Sequence, residues 1–328
     1  MRILIAGLGS IGLRHLGNLR SLVPDAYIGV WRQATAAGDD VPEGVDEVVY
    51  DLESALAQKP DIALVTGPAT AHIATGRALA ERGIHLYIEK PLAHSLEGVD
   101  DLLALCRRNS AILMVGYNYR FNASLCAARE MVIAGRIGRV LGVRAEVGQY
   151  LPEWRPGQDY RDSVSARADL GGGVVLALSH EFDYIRWLVG EITAVNARLG
   201  KVSDLEIDVE DLAEVVLEFR DGAIGNIHLD MVQRIPVRTC RIIGSEGTLV
   251  WDGLAGEVKC YLSKSGTWSD ASGGKGARND MYLEALRHFL YCVEYGKTPE
   301  STGEDGRSAL AIALAVKESA RTGATVEI

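Results

Sequence analysis

The stretch Gly7-Leu8-Gly9-Ser10-Ile11-Gly12 decides how this chain is read, because of what flanks it. The β-rich apolar run Ile3 to Ala6 comes immediately before it. From Ser10 to Leu22, apolar residues recur at three- and four-residue steps, as on an amphipathic helix. A Gly-x-Gly-x-x-Gly segment between a strand and a helix has a definite physical use. The first glycine makes a tight turn, the second lets the backbone approach a pyrophosphate, and the third lets the helix pack closely on the sheet. The unpaired N–H groups at the helix start then face the anion. The stretch therefore predicts a dinucleotide site built on Gly7, Gly9, Ser10, Ile11 and Gly12.

Working outward, short apolar runs recur at Tyr27 to Trp31, Ile62 to Val65, Ile84 to Ile88 and Ile112 to Val115. They alternate with the helical patterns Ala71 to Arg82 and Leu96 to Arg108. Alternation of this kind predicts a doubly wound parallel sheet. After about Tyr119 the pattern changes. A helix over Ala123 to Ala134 leads into longer alternating runs near Val140 to Val147, Asp211 to Phe219, Ala223 to Asp230 and Val237 to Ile243, the signature of an open antiparallel sheet. Helical patterns over Asn279 to Tyr295 and Glu304 to Arg321 precede a short strand, Thr325 to Ile328, and the Gly- and Ser-rich segment Ser263 to Arg278 reads as a loop. The predicted fold class is α/β. An N-terminal Rossmann domain spans residues 1–119, and a C-terminal α+β domain with a large, mainly antiparallel open sheet spans 120–328 and serves substrate binding and oligomerisation.

Composition narrows the partners. The 328 residues carry a formal charge of -10, and no Lys/Arg tract offers a footprint for nucleic acid or an anionic membrane. The chain begins Met1-Arg2 and runs straight into a strand-like segment, without a signal-peptide pattern, and no apolar stretch reaches the roughly 18 residues of a membrane helix. The five cysteines are scattered, with no Cys-x-x-Cys pair and no zinc-ligand spacing, so no metal site is expected. These features predict a cytoplasmic protein with a small-molecule partner. The broad open sheet predicts a homo-oligomer.

The cofactor can be read further. About 20 residues after a glycine loop, at the end of the second strand, an acidic residue would bind the ribose hydroxyls of NAD. Here the strand ends Val30-Trp31-Arg32-Gln33. Arg32 offers a planar cation that pairs with a 2′-phosphate and stacks on adenine, so NADP is expected as the preferred cofactor, with NAD as the other possibility. Glu89-Lys90-Pro91 falls at the carboxyl end of the Ile84 to Ile88 strand, on the edge where such sheets bind ligands. A lysine partly desolvated beside a cationic nicotinamide ring can exchange a proton with a hydroxyl near neutral pH. The run from Gln149 to Arg161 is dense in aromatic and hydrogen-bonding groups and lacks a core period. It reads as a substrate loop, with Trp154, Arg155, Asp159, Tyr160 and Arg161 as recognition candidates.

These residues also carry a resemblance. The glycine stretch, Thr66-Gly67-Pro68 to His72, Glu89-Lys90-Pro91 and Gly116-Tyr117-Asn118-Tyr119-Arg120-Phe121 occur in order. They are followed by Gly171-Gly172-Gly173, His180-Glu181-Phe182-Asp183, Arg186-Trp187-Leu188 and Gly303-Glu304-Asp305-Gly306. The set resembles the Gfo/Idh/MocA family, named for glucose-fructose oxidoreductase and inositol dehydrogenase. The resemblance implies a sugar, inositol or related polyol as substrate. It implies that Thr66, Pro68 and His72 line the cofactor, that Glu89 and Lys90 reach the nicotinamide ribose, that Asn118 closes the nicotinamide end, that Lys90 is catalytic or substrate-orienting, and that His180 touches the substrate hydroxyl as the second catalytic candidate. Trp31 beside Arg32 is a further cofactor candidate and Tyr119 a further substrate candidate. The family usually places an Asp shortly before its His, where this chain has Leu176 and Ala177. Two functions therefore stay open: hydride transfer between nicotinamide C4 and a carbinol carbon, or a catalytically impaired NADP-binding regulator on the same fold.

Overall fold

The computed structural model describes residues 1–33, 41–271 and 276–328. Within it the chain forms two compact units, Met1–Asn118 with Tyr282–Arg307, and Tyr119–Met281 with Ser308–Ile328.

The first unit is built on a six-stranded sheet of β1 (Arg2–Ala6), β2 (Tyr27–Trp31), β3 (Glu47–Val49), β4 (Ile62–Val65), β5 (His85–Ile88) and β6 (Leu113–Val115), in the order β3-β2-β1-β4-β5-β6. All five pairings are parallel. Its strands are near-continuous apolar runs because both faces are covered: Ile3, Leu4 and Ile5, then Ile62 to Val65, then Leu86, Tyr87 and Ile88 are all buried. The connecting helices are α1 (Ser10–Leu22), α2 (Leu52–Ala57), α3 (His72–Ala80) and α4 (Val99–Arg108). The chain order reverses between β1 and β4, so a crevice opens at the carboxyl ends of those strands.

The late segment of this unit extends the same core. Phe289, buried on α8 (Asp280–Tyr295), packs edge-on against Tyr87 of β5 with ring centroids 5.7 Å apart. Beyond it, Ser301 donates its hydroxyl to the Val115 carbonyl at 2.9 Å, and the Val115 N–H donates to the Ser301 carbonyl at 3.0 Å.

The second unit carries a nine-stranded sheet in the order β14-β13-β12-β11-β7-β10-β9-β8-β15. Its strands are β7 (Val140–Gly148), β8 (Ile192–Gly200), β9 (Leu212–Phe219), β10 (Ile224–Asp230), β11 (Val237–Gly244), β12 (Gly247–Asp252), β13 (Glu257–Leu262), β14 (Thr267–Asp270) and β15 (Val326–Glu327). Among the described pairings of this second sheet, only that of β7 with β10 is parallel. Buried and exposed residues alternate strictly along β9, as they must when one face meets a core and the other does not. The buried face is covered by helices that include α5 (Ala123–Ile133), α6 (Val174–Ala177) and α7 (His180–Val189). The helix α9 (Gly303–Thr322) contains the boundary between the units.

One expectation is corrected. The segment read as a loop from Ser263 to Arg278 contains β14, paired antiparallel with β13. All four β14 residues are exposed, so this edge strand has no buried face and leaves no alternation to read. Residues 272–275 of that segment lie outside the described residues.

Candidate active site

In the first unit, five segments leave the carboxyl ends of the parallel strands: Gly7 after β1, Arg32 after β2, Thr66 after β4, Glu89-Lys90 after β5 and Gly116-Tyr117-Asn118 after β6. The glycine loop is held from two sides. The Gly7 N–H donates to the Trp31 carbonyl at 2.8 Å, and the Thr66 hydroxyl donates to the Gly7 carbonyl at 2.6 Å. Gly7 has φ +104°, and a Cβ there would lie 2.8 Å from the Gly67 nitrogen, so only glycine fits. A Cβ on Gly12 would lie 2.4 Å from the Gly7 carbonyl oxygen, whereas one on Gly9 meets nothing within 4 Å. Thus two glycines serve the protein's own packing, while the third keeps open the space above the N-terminus of α1, which begins at Ser10 with Ile11 in its first turn.

His72 ties two of these segments together. Buried at the start of α3, its ring nitrogens lie 2.9 Å from the Gly67 carbonyl, next to Pro68, and 3.0 Å from the Pro91 carbonyl. Burial pushes its pKa down, while the two carbonyl contacts act in the opposite direction. Glu89 is buried as well. Its Oε1 accepts from His15 Nε2 at 2.7 Å, and its Oε2 accepts from the Lys90 N–H at 3.2 Å. Lys90 is half-buried. Asn118 is 2% exposed, and its Oδ1 has no hydrogen-bond partner among the described residues. At the far end of the crevice the Arg32 N–H donates to the Val49 carbonyl at 3.1 Å, and its guanidinium lies 5.8 Å from the Tyr50 ring centre.

This arrangement fits a dinucleotide. The space a Cβ on Gly9 would fill lies at a helix N-terminus suited to a pyrophosphate, and the unpartnered Asn118 carbonyl suits an amide donor such as the carboxamide of a nicotinamide. Among the described residues, no group of three or more His, Cys, Asp or Glu could hold a metal ion.

The second unit gathers the other candidates around a buried polar cluster. The Tyr119 ring packs edge-on to His180 at 4.9 Å and to Trp251 at 5.9 Å. Arg238 of β11 donates to the Tyr119 hydroxyl and lies 3.0 Å from the fully buried Glu181 carboxylate. Asp183 is gripped by both arms of Arg120, at 3.0 and 2.7 Å, and both side chains are buried. Leu176 is buried on α6 and Ala177 is half-buried, so neither position supplies a carboxylate ahead of His180.

Of the proposed recognition loop, Arg161 pairs with Asp159 at 2.6 Å and with Glu206 at 2.7 Å. Hydrogen bonds from the Arg161 side chain and backbone hold the Asp159 carboxyl down at about 2. The Tyr160 hydroxyl accepts from the Glu206 N–H at 3.1 Å, Trp154 donates to the Gln149 carbonyl at 2.8 Å, and Arg155 is exposed. This loop therefore spends most of its polar groups on itself and on Glu206.

Sequence reasoning missed His15, Arg238 and Glu181 as members of these clusters. A signal for His15 was available: it lies three residues after Gly12 on the inward face of α1, with Leu16 and Leu19, where an apolar residue is the norm.

The myo-inositol 2-dehydrogenase of Thermotoga maritima is 29% identical over an alignment covering 100% of this chain and 98% of that protein. The scyllo-inositol 2-dehydrogenase (NAD(+)) of Bacillus subtilis is 26% identical, covering 100% of this chain and 96% of that protein. A solved levoglucosan dehydrogenase in complex with NADH superposes with a TM-score of 0.88 at 20% identity, covering 100% of this chain and 99% of that one, a likeness of fold. The family model described as an oxidoreductase family with an NAD-binding Rossmann fold matches residues 1–117, and that of the GFO/IDH/MocA C-terminal domain matches residues 126–250. With both halves matched in order, the chain belongs to the Gfo/Idh/MocA family and is an NAD(P)-dependent oxidoreductase.

Proposed function

We propose that this oxidoreductase moves a hydride between nicotinamide C4 and a carbinol carbon of a sugar, sugar derivative or inositol, with NADP preferred over NAD. The observation that carries the reading is the convergence, at the carboxyl edge of one parallel sheet, of an open glycine cradle, an unpartnered buried Asn118 carbonyl and a half-buried Lys90. The cofactor, when bound, supplies the hydride chemistry. Gly9 and the start of α1 take its pyrophosphate, Asn118 orients its nicotinamide end, and Thr66 and His72 brace the loops around it. Lys90 takes or returns the hydroxyl proton, and His180 is assigned a substrate hydroxyl on the family resemblance. The two inositol dehydrogenases that match over the full length support the polyol substrate. The name of the Bacillus subtilis relative and the bound NADH of the solved relative point to NAD, so Arg32 is what argues for NADP here.

Residues 1–119 are assigned to the cofactor and 120–328 to the substrate and a homo-oligomer interface. Val216, Ile224 and Ile243, exposed on the second sheet, support such an interface. No helix among the described residues is long and apolar enough to cross a membrane, and a cytoplasmic location is assigned with the fold.

The test is a panel of inositols, aldoses and uronates, each with NADP and NAD, for the wild type and Lys90→Ala. We expect turnover of at least one polyol, and a loss of about 100-fold or more in the variant with cofactor binding retained. Tight cofactor binding with no turnover of any member would overturn the reading in favour of a regulator. Undiminished turnover by Lys90→Ala would remove the lysine from the chemistry.

A further inference from the structure

His15 has no exposed surface and sits in an aromatic slot, edge-on to Tyr87 at 5.3 Å and to Tyr282 at 6.3 Å. Leu or Phe would fill such a slot without desolvating a polar ring, so burying an imidazole there needs a compensating bond. Its Nδ1 has no hydrogen-bond partner among the described residues, which leaves Nε2 as its polar contact, and Nε2 donates to Glu89 at 2.7 Å. The Glu89 carboxylate is fixed on its other sides too. Oε2 receives the Lys90 N–H, and the carboxylate lies over Gly116, where a Cβ would come within 3.0 Å of it. The helix that presents the glycine cradle at its first turn is thus bonded, one turn later, to the residue preceding Lys90.

We propose that His15 is a positioning residue: through Glu89 it fixes the turn that carries Lys90 and couples that turn to the cofactor helix. The proposal rests on the reading of Lys90 as the proton partner for its functional meaning. Its geometry can be tested without any substrate.

The probe is trace acetylation with acetic anhydride, followed by peptide mass spectrometry. It compares the labelling rate of Lys90 with that of the exposed Lys259 in the wild type, His15→Phe and His15→Gln. Phe keeps the ring contacts and removes the donor, while Gln restores a donor without the ring. Thermal melts confirm that each variant is folded, and His15→Leu replaces the phenylalanine variant if that does not fold. In His15→Phe we expect Lys90 to label about threefold faster or more relative to Lys259, and in His15→Gln to return toward the wild-type ratio. A wild-type ratio in the donor-less variant, or equal changes in the Phe and Gln variants, would overturn the proposal. Failure of the lysine's chemical role would show differently, as turnover retained by Lys90→Ala, and would leave the labelling result standing.

Discussion

Alanine at Gly9 and alanine at Gly12 should damage this protein in opposite ways, although both break the same motif. Gly12 faces the protein: an added Cβ would lie 2.4 Å from the Gly7 carbonyl oxygen and 3.1 Å from the Thr66 hydroxyl, far inside ordinary contact with a backbone atom. Relieving that overlap means moving the loop or the helix, at about 1–3 kcal/mol. Gly9 faces outward. Its φ of -76° and ψ of -170° suit any residue, and an added Cβ meets nothing within 4 Å. Alanine there costs the folded protein only its poorer helix-capping preference, at most about 1 kcal/mol. The methyl group would, however, stand where a pyrophosphate must approach the backbone, and we expect cofactor affinity to fall at least about tenfold, or ~1.4 kcal/mol.

The assay is a thermal melt with and without NADPH and NADH, paired with a fluorescence titration. At a ligand concentration about 100 times its wild-type Kd, binding protects the wild type by about 2.7 kcal/mol; a tenfold weaker variant keeps about half of that. Gly9→Ala should therefore melt close to the wild type alone and lose half or more of the cofactor-induced shift, while Gly12→Ala should melt several degrees lower before any ligand is added. Wild-type affinity in Gly9→Ala would refute the assignment of the open face to the pyrophosphate. Equal destabilisation by the two variants would refute the packing argument.

Two further outcomes follow from charge. Arg32→Asp exchanges a cation suited to a 2′-phosphate for a carboxylate suited to ribose hydroxyls, and the NADP-to-NAD ratio of kcat/KM should fall by about 10–100-fold, the worth of a charge-assisted hydrogen bond; an unchanged ratio would remove Arg32 from cofactor choice. On β10, hydrogen bonds from His228 to Asp230, at 3.1 Å, and to Glu214, at 2.6 Å, raise its pKa to about 9 against partial burial. A pKa raised by folding gives stability that is fully present below the unfolded value near 6.5 and is lost as pH rises through about 9. Since the Glu214 side chain is 55% exposed, screening leaves about 1 kcal/mol. The melting temperature of the wild type relative to His228→Gln should therefore shrink between pH 7 and about 10, and a constant difference would show that the histidine does not titrate there.

The elements legible in the sequence are those whose burial imposes a period. Strands β1, β2, β4, β5 and β6 are buried on both faces and read as apolar runs, and β9 and β10 are buried on one face and alternate. Several of the elements that escaped lack such a period, whereas β12 and β13 alternate over six residues each and escaped all the same. β3 is three residues long at a sheet edge, and α2 has six residues, too few to show a helical repeat. β8 is longer, but its register shifts between Ile192 and Ala194, so its inward residues do not fall on one parity. In each case a local pattern exists only where the same face stays buried for several residues.

The site follows the same rule at longer range. The glycine loop could be read because its three roles are played within six consecutive residues, and the Lys90 turn because a strand end marks it. What the sequence could not show is which atoms enforce those roles. Gly67 and Thr66, about sixty residues away, crowd Gly7 and Gly12 but leave Gly9 clear. His15 and Glu89 are separated by 74 residues, and Arg120 and Asp183 by 63. Each pair is a buried acid with the donor that makes its burial tolerable, and a lone Glu or Asp in a motif does not announce where its donor lies. Asp183 illustrates the point: one turn beyond His180 on α7, it occupies a place where a carboxylate could serve the imidazole, yet both of its oxygens are taken by Arg120. A carboxylate held this way by a guanidinium is fixed in position and already engaged, and neither buried Leu176 nor half-buried Ala177 supplies another ahead of His180.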